Sequence, residues 1–219
     1  MKNKEKFLIA TGLLLIAAAL FLTAYNLYGE VRARCSTMKI MARLETDAFA
    51  NPSAEASTQS DAAEKSPTTV TEETEIPDYL LDPDMEMPIE TINGLDYIGI
   101  LRIPALDLEL PVITEWSYSN LKISPCRYSG SAYQDNLVIA AHNYTAHFGN
   151  LKKLHEGDTA TFTDMDGNVF TYDMVARETI QPTDIVEMVA GEWDLTLFTC
   201  TIGGSNRLTV RFERVENEE

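Results

Sequence analysis

Basic residues are scarce. Lysine and arginine total 17 against 34 acidic residues, a formal net charge of −17. Such a chain repels a phosphate backbone, which argues against nucleic acid as a partner. Cysteine is scarcer still: Cys35, Cys126 and Cys200 form an odd count whose spacing suggests no disulfide framework. Among the histidines, His142 and His147 lack with Cys200 the ligand spacing of a zinc site, so no metal and no cofactor are expected. After Leu27 there is no second long apolar run, which leaves room for one membrane-crossing segment.

That segment is Phe7 to Leu27, uncharged, rich in Leu, Ala, Ile and Phe, and preceded by Lys2, Lys4 and Lys6. As a helix it spans roughly 30 Å, the thickness of a bilayer core. No small-x-small cleavage site closes the run, so an uncleaved signal anchor over residues 7–28 is expected rather than a signal peptide. Arg32, Arg34, Lys39 and Arg43 follow directly, so charge alone leaves the orientation open. Residues 29–90 are expected to be a juxtamembrane segment and an acidic, disordered linker. From Thr46 to Glu90 the chain carries twelve acidic residues and one lysine, with many Ala, Ser, Thr and Pro. Asp78 to Pro88 is more apolar than its surroundings, enough to pack onto a following domain.

Residues 91–219 read as one domain of short strands. Tyr97–Ile103 and Leu106–Val112 flank Pro104-Ala105, and Leu137–Ala141 is a short apolar run ending at His142. Trp116–Ile123, His147–Leu154 and Thr183–Met188 are helix-compatible, while Pro125 to Asp135 reads as loop. Thr159–Thr163 and Val169–Val175 flank an Asp166-Gly167 turn, which predicts a hairpin. That turn lacks the later bidentate glutamate of a calcium loop. Many short strands with turns between them predict an all-β barrel or sandwich.

The most informative stretch is Asp194 to Val215. Leu195–Thr199 and Leu208–Phe212 alternate in polarity around a flexible connection containing Gly203-Gly204. Symmetric pairing puts Cys200 directly opposite Arg207, on one face, with Leu208, Val210 and Phe212 on the other. A cation beside a thiol favours the thiolate, and a guanidinium can bind an oxyanion. On the hairpin alone, the simpler reading is a small buried cysteine beside a surface arginine. Arg211 shares the parity of Arg207 but falls opposite Thr196, roughly 13 Å farther along the ladder. Of the two, only Arg207 stands beside Cys200, so any oxyanion role falls to Arg207, and Arg211→Ala is expected to cost much less activity.

Thr196-Leu197-Phe198-Thr199-Cys200 resembles the TLxTC motif of sortases, the cysteine transpeptidases of Gram-positive cell surfaces. The family's arginine follows on the next strand, where Arg207 stands, and its histidine ends an upstream apolar strand, where His142 stands. The similarity covers roughly residues 95–215, although His142 follows Ala140-Ala141 where many members have a glycine. The resemblance implies a closed eight-stranded β-barrel with short helices, behind one transmembrane helix and a flexible linker. It implies Cys200 as nucleophile, His142 as general acid/base, Arg207 as oxyanion and substrate stabiliser, and Thr199 as a substrate-positioning residue. It also favours a cytoplasmic residue 1–6 segment and an extracytoplasmic domain over residues 91–219.

The implied activity is transpeptidation: cleavage of a C-terminal sorting motif through a thioester, then transfer to an amine of a cell-wall precursor or a pilin lysine. A cysteine protease using water is a weaker alternative, because papain-type sequence around Cys200 is absent. A non-catalytic peptide-binding or scaffolding ectodomain is the alternative from another class. Asn143 and Phe148-Gly149-Asn150-Leu151-Lys152 resemble class B members, but the long helical insertion of that class is missing after Val175. Asp82-Pro83-Asp84 only faintly resembles the lid of pilus-building members, since Asp84 replaces the aromatic residue.

Overall fold

Alternating apolar and polar residues make the strands, and turn residues separate them. The computed structural model describes residues 2–50, 77–189 and 192–215. In chain order they form α1 (Lys2–Ala50), α2 (Asp78–Leu81), β1 (Glu90–Ile92), β2 (Leu95–Ile103), β3 (Leu108–Ile113), β4 (Cys126–Ser129), β5 (Leu137–Ala140), β6 (Thr159–Asp164), β7 (Val169–Ile180), α3 (Ile185–Met188), β8 (Leu195–Cys200) and β9 (Arg207–Arg214). The strands pair in the order β1-β2-β3-β4-β5-β8-β9-β7-β6, and β6 pairs back onto β2. Eight strands therefore close the expected barrel, and β1 is an antiparallel addition at the start of β2.

Closure happens where β2 meets β6, with Gly99 opposite Asp164. A Cβ on Gly99 would overlap the carbonyl of Thr163 and the ring of Phe162, so only glycine lets these strands approach. A bulge between Tyr97 and Gly99 switches the inward parity of β2, so that Ile98, Leu101 and Ile103 all enter the barrel. They meet Phe162, Phe170, Leu195, Leu197, Val210 and Phe212 in the interior.

The β6–β7 hairpin is formed as its Asp-Gly turn predicts, with Gly167 at φ +88°. The buried Asp164 carboxylate accepts from the backbone N–H groups of Asp166 and Asn168, from Asn168 Nδ2 and from Tyr133 Oη, at 2.7–3.0 Å. These four bonds use its lone pairs inside the turn.

Several sequence expectations change. Pro125 to Asp135 is not all loop, since its first half is β4, joined in parallel to β3 and antiparallel to β5. Trp116–Ile123 and His147–Leu154 supply only single 3-10 turns, Asn120–Lys122 and Leu151–Lys153. Strand β7 continues past Val175 to Ile180. A bulge between Met174 and Ala176 interrupts its alternation, which is why the pattern fades at that point in the sequence.

The backbone shows no break at residue 28. Helix α1 continues to Ala50, and beyond the apolar run it turns one face to the barrel: Ala33, Thr37, Ile40, Met41 and Leu44 are buried. Their spacing is that of one helical stripe. Ile40, Met41 and Leu44 join an outer apolar layer with Ile92, Tyr97, Ile113, Cys126, Val138, Ala140, Met188 and Phe198. Arg43 donates to Asn93 Oδ1 at 2.9 Å, and the Glu30 carboxylate accepts from the Thr145 hydroxyl at 3.1 Å. The first part of the expected linker is thus docked helix, and most of the acidic stretch, 51–76, lies outside the described residues.

The apolar stretch after it packs on the barrel but not at the Cys200 end. Tyr79 stacks on Tyr133 with ring centroids 4.7 Å apart, next to Phe170, and Met87 is buried in the interior cluster. Tyr133 lies in the turn before β5, whereas His142 follows the strand.

Arg211 is the largest fully buried side chain among the described residues. Its guanidinium pairs with Glu178 at 2.7 Å and donates to Thr196 Oγ1 and to the carbonyls of Met188 and Glu187 at 2.7–3.0 Å. It thereby ties β7, β8 and the α3 segment together beneath the outer layer. Replacing it with alanine leaves those acceptors unsatisfied, at a cost of about 3 kcal/mol. The expected outcome of Arg211→Ala is a melting temperature lower by roughly 10 °C, read by circular dichroism.

Candidate active site

Two strand pairings build the site. In the β8–β9 ladder Cys200 lies opposite Arg207, and Thr196 lies opposite Arg211. In the parallel β5–β8 pair the last register position is Ala140 against Phe198. The pairing is carried one step further by Ala141 N–H donating to Phe198 O at 3.1 Å, and by Thr199 Oγ1 donating to Ala141 O at 2.8 Å. His142 and Cys200 are the next residues along these neighbouring strands. Parity places both on the outer face: Val138 and Ala140 on β5, and Phe198 on β8, belong to the outer apolar layer, while Leu137, Ile139, Leu195 and Leu197 point inward. Cys200, His142 and Arg207 are thus brought to one end of three adjacent strands. Thr199 is not brought with them. Its side chain is 3% exposed, faces inward and spends its hydroxyl on Ala141 O.

The three thiols differ in setting. Cys200 is half-buried at the strand end, and Cys35 is exposed on α1. Cys126 is buried in the outer layer, where desolvation pushes its thiol up to about 12. A thiol so held is inert at neutral pH.

His142 begins a tight loop. Phe148 N–H donates to His142 O at 3.1 Å, and the N–H groups of His147 and Gly149 both donate to Tyr144 O at 2.9 Å. Gly149 is required here, because a Cβ would lie 2.5 Å from Asn143 O. The loop sets Tyr144 against the His142 ring, with centroids 4.9 Å apart. Burial, and secondarily the Lys122 ammonium, lower the His142 pKa below its ordinary value, which favours the neutral imidazole. Arg207 donates to the carbonyls of Gly204 and Asn206 at 3.2 Å, which holds its guanidinium at the loop end of the hairpin.

Beside Arg207 lies a cavity of about 200 Å³ whose walls include Trp116, Tyr118, Tyr128, Ile185, Met188 and Phe198. Its aromatic side is a run of edge-on rings: Trp116–Tyr118 at 5.0 Å, Trp116–Tyr128 at 6.0 Å and Tyr128–Phe198 at 5.2 Å. Sequence reasoning missed these wall residues. They come from four separate segments, and only the barrel's closure gathers them.

The family model described as “Sortase domain” matches residues 101–215. Among solved structures the chain is similar to sortase A from Corynebacterium diphtheriae, at 26% identity and a TM-score of 0.52 over 57% of this chain and 63% of that one. It is also similar to Clostridium perfringens sortase C with the C-terminal cell wall sorting motif, at 27% identity and a TM-score of 0.49 over 56% of this chain and 72% of that one. The chain thus spans less than two thirds of the diphtheria protein's length. No curated protein matches it in sequence.

His147 has no exposed surface, its ring nitrogens have no hydrogen-bond partner among the described residues, and burial lowers its pKa from 6.5 to about 4. Between those values the unfolded chain binds more protons than the folded one, so stability rises with pH across the window and is lost on acidification. From pH 7 to pH 5 the loss amounts to about 2 kcal/mol. Urea unfolding at the two pH values should show this extra acid sensitivity in the native chain, and His147→Phe should remove that share of it.

Proposed function

This chain belongs to the sortase family, and on that premise we propose that it is a membrane-anchored cysteine transpeptidase acting on C-terminal sorting motifs of secreted proteins. The observation that carries the reading is the convergence of Cys200, His142 and Arg207 at one barrel end, beside the aromatic cavity. An extended peptide would lay an apolar side chain against Trp116, Tyr128 and Phe198. Its scissile carbonyl would then lie at the Cys200–Arg207 pair.

The Cys200 sulfur attacks that carbonyl while the thiol proton passes to the neutral His142 imidazole. Arg207 stabilises the tetrahedral oxyanion. The imidazolium returns the proton to the departing amine, leaving a thioester on Cys200. An incoming amine from a cell-wall precursor or a pilin lysine attacks the thioester, His142 takes its proton, and collapse restores the thiol and a new amide. Thr199 supports substrate positioning indirectly, by fixing the end of β5 from which His142 projects.

The uncharged run of α1 supports a single-pass anchor over residues 7–28, since α1 is the one helix among the described residues long and apolar enough to cross a membrane. The working domain order is then a cytoplasmic segment 1–6, the anchor, a connecting segment 29–90 whose start is docked, and the extracytoplasmic catalytic domain 91–219.

Single-turnover acylation tests the roles. Arg207→Ala should slow it about 100- to 1,000-fold with the melting temperature unchanged, and Arg207→Lys should recover only part, because lysine lacks the fork. A loss below about tenfold for Arg207→Ala would remove this arginine from the oxyanion site.

A further inference from the structure

A second cavity, of about 250 Å³, lies between α1 and the active-site loop, lined by Tyr25, Asn26, Tyr28, Gly29, Arg32, Lys122 and Tyr144. Its composition is distinctive. Two cations, three phenols and an amide line it, and among the described residues no carboxylate does. The nearest acidic side chain in sequence, Glu30, is turned to the backbone N–H and hydroxyl of Thr145. Neither Arg32 nor Lys122 has an ion pair among the described residues.

Its height along the helix is equally informative. The apolar run ends at Leu27, so at 1.5 Å per residue Arg32 stands roughly 7 Å beyond the hydrocarbon edge. That is the depth of lipid headgroups, and Tyr25 and Tyr28 stand where amphipathic rings anchor a span. The opposite wall is the barrel itself: Gly29 packs under Tyr144, where an added Cβ would lie 3.3 Å from the phenol oxygen. The cavity lies beside the end of the apolar run, and its cations come from both the helix and the barrel.

We propose that this cavity is a binding site for the phosphate of an anionic membrane phospholipid, held between Arg32 and Lys122 with the tyrosine hydroxyls and Asn26 as further donors. The inference depends on the membrane span but not on the transpeptidase chemistry. Tyr144 also packs against His142, so the bound headgroup lies one side chain away from the acid/base residue. A lipid held there sets the catalytic end of the barrel down on the membrane surface, a placement a free tether would not give.

The test uses the full chain carrying Cys200→Ala, so that the result is independent of turnover, in neutral detergent with native mass spectrometry. Phosphatidylglycerol, phosphatidylcholine and inorganic phosphate are supplied separately. The expected result is one phosphatidylglycerol retained per chain, preferred over phosphatidylcholine by roughly 10- to 30-fold. Arg32→Gln with Lys122→Gln should abolish that preference. Arg34→Gln with Lys39→Gln, which removes the same charge outside the cavity, should keep it. Retention of the preference by the first pair overturns the proposal, as does equal loss in both pairs, which would mark diffuse surface attraction. Occupancy by inorganic phosphate that excludes the lipid overturns the lipid as source. A chain that retains lipid while the parent forms no thioester leaves this inference standing and removes the proposed function instead.

Discussion

The arrangement depends on one strand pairing. Strands β5 and β8 run parallel although 58 residues separate the partners of the hydrogen bond that closes their shared end, Thr199 Oγ1 to Ala141 O. Parallel neighbours cannot be joined by a tight turn, so β6, β7 and α3 form the crossover between them. His142 and Cys200 therefore meet only through a pairing between strands far apart in the chain. The third member, Arg207, needs only the local β8–β9 ladder. The site thus combines a short-range contact with a long-range one, and the threonine that precedes the cysteine closes the end of the long-range one.

A second layer outside the barrel holds that end in shape. Val138, Ala140 and Phe198 present an apolar outer face, which α1 covers from one side and Met188 from another. Arg211 lies beneath Met188 as a guanidinium with its donors spent on Glu178, Thr196 and two carbonyls. Two arginines of equal parity on one strand have thereby divided their work. Arg207 is half-exposed at the loop end, and Arg211 is enclosed among structural acceptors. Interchanging their roles would require moving one of them roughly 13 Å along the strand.

Local patterning made part of this legible. The β8–β9 register followed from a near-symmetric hairpin, and the β6–β7 turn followed from Asp166-Gly167. Strand β4 was not legible: only Cys126 of its four residues is fully buried and a register shift follows Arg127, so no alternation survives. The docked half of α1 was hidden because Arg32, Arg34, Lys39 and Arg43 interleave with the buried stripe and read as juxtamembrane charge. Thr199 was expected to position substrate because of its place in the motif, which says nothing of the face it takes. Strand parity alone, applied one residue from Cys200, would have turned it inward. The lowered pKa of His147 had no sequence signal, since its burial depends on the loop packing behind His142.

The central claim is that Cys200 carries the acyl group, with His142 and Arg207 serving that sulfur. The direct measurement is intact-mass spectrometry, followed by peptide mapping, of the full chain after reaction with a library of sorting-motif peptides. The account predicts an added mass equal to the peptide portion on the N-terminal side of the cleaved bond. That mass should map to Cys200, be released by hydroxylamine as expected of a thioester, and be absent from Cys200→Ala. An adduct that maps to Cys35 or Cys126, or one that persists in Cys200→Ala, would contradict it.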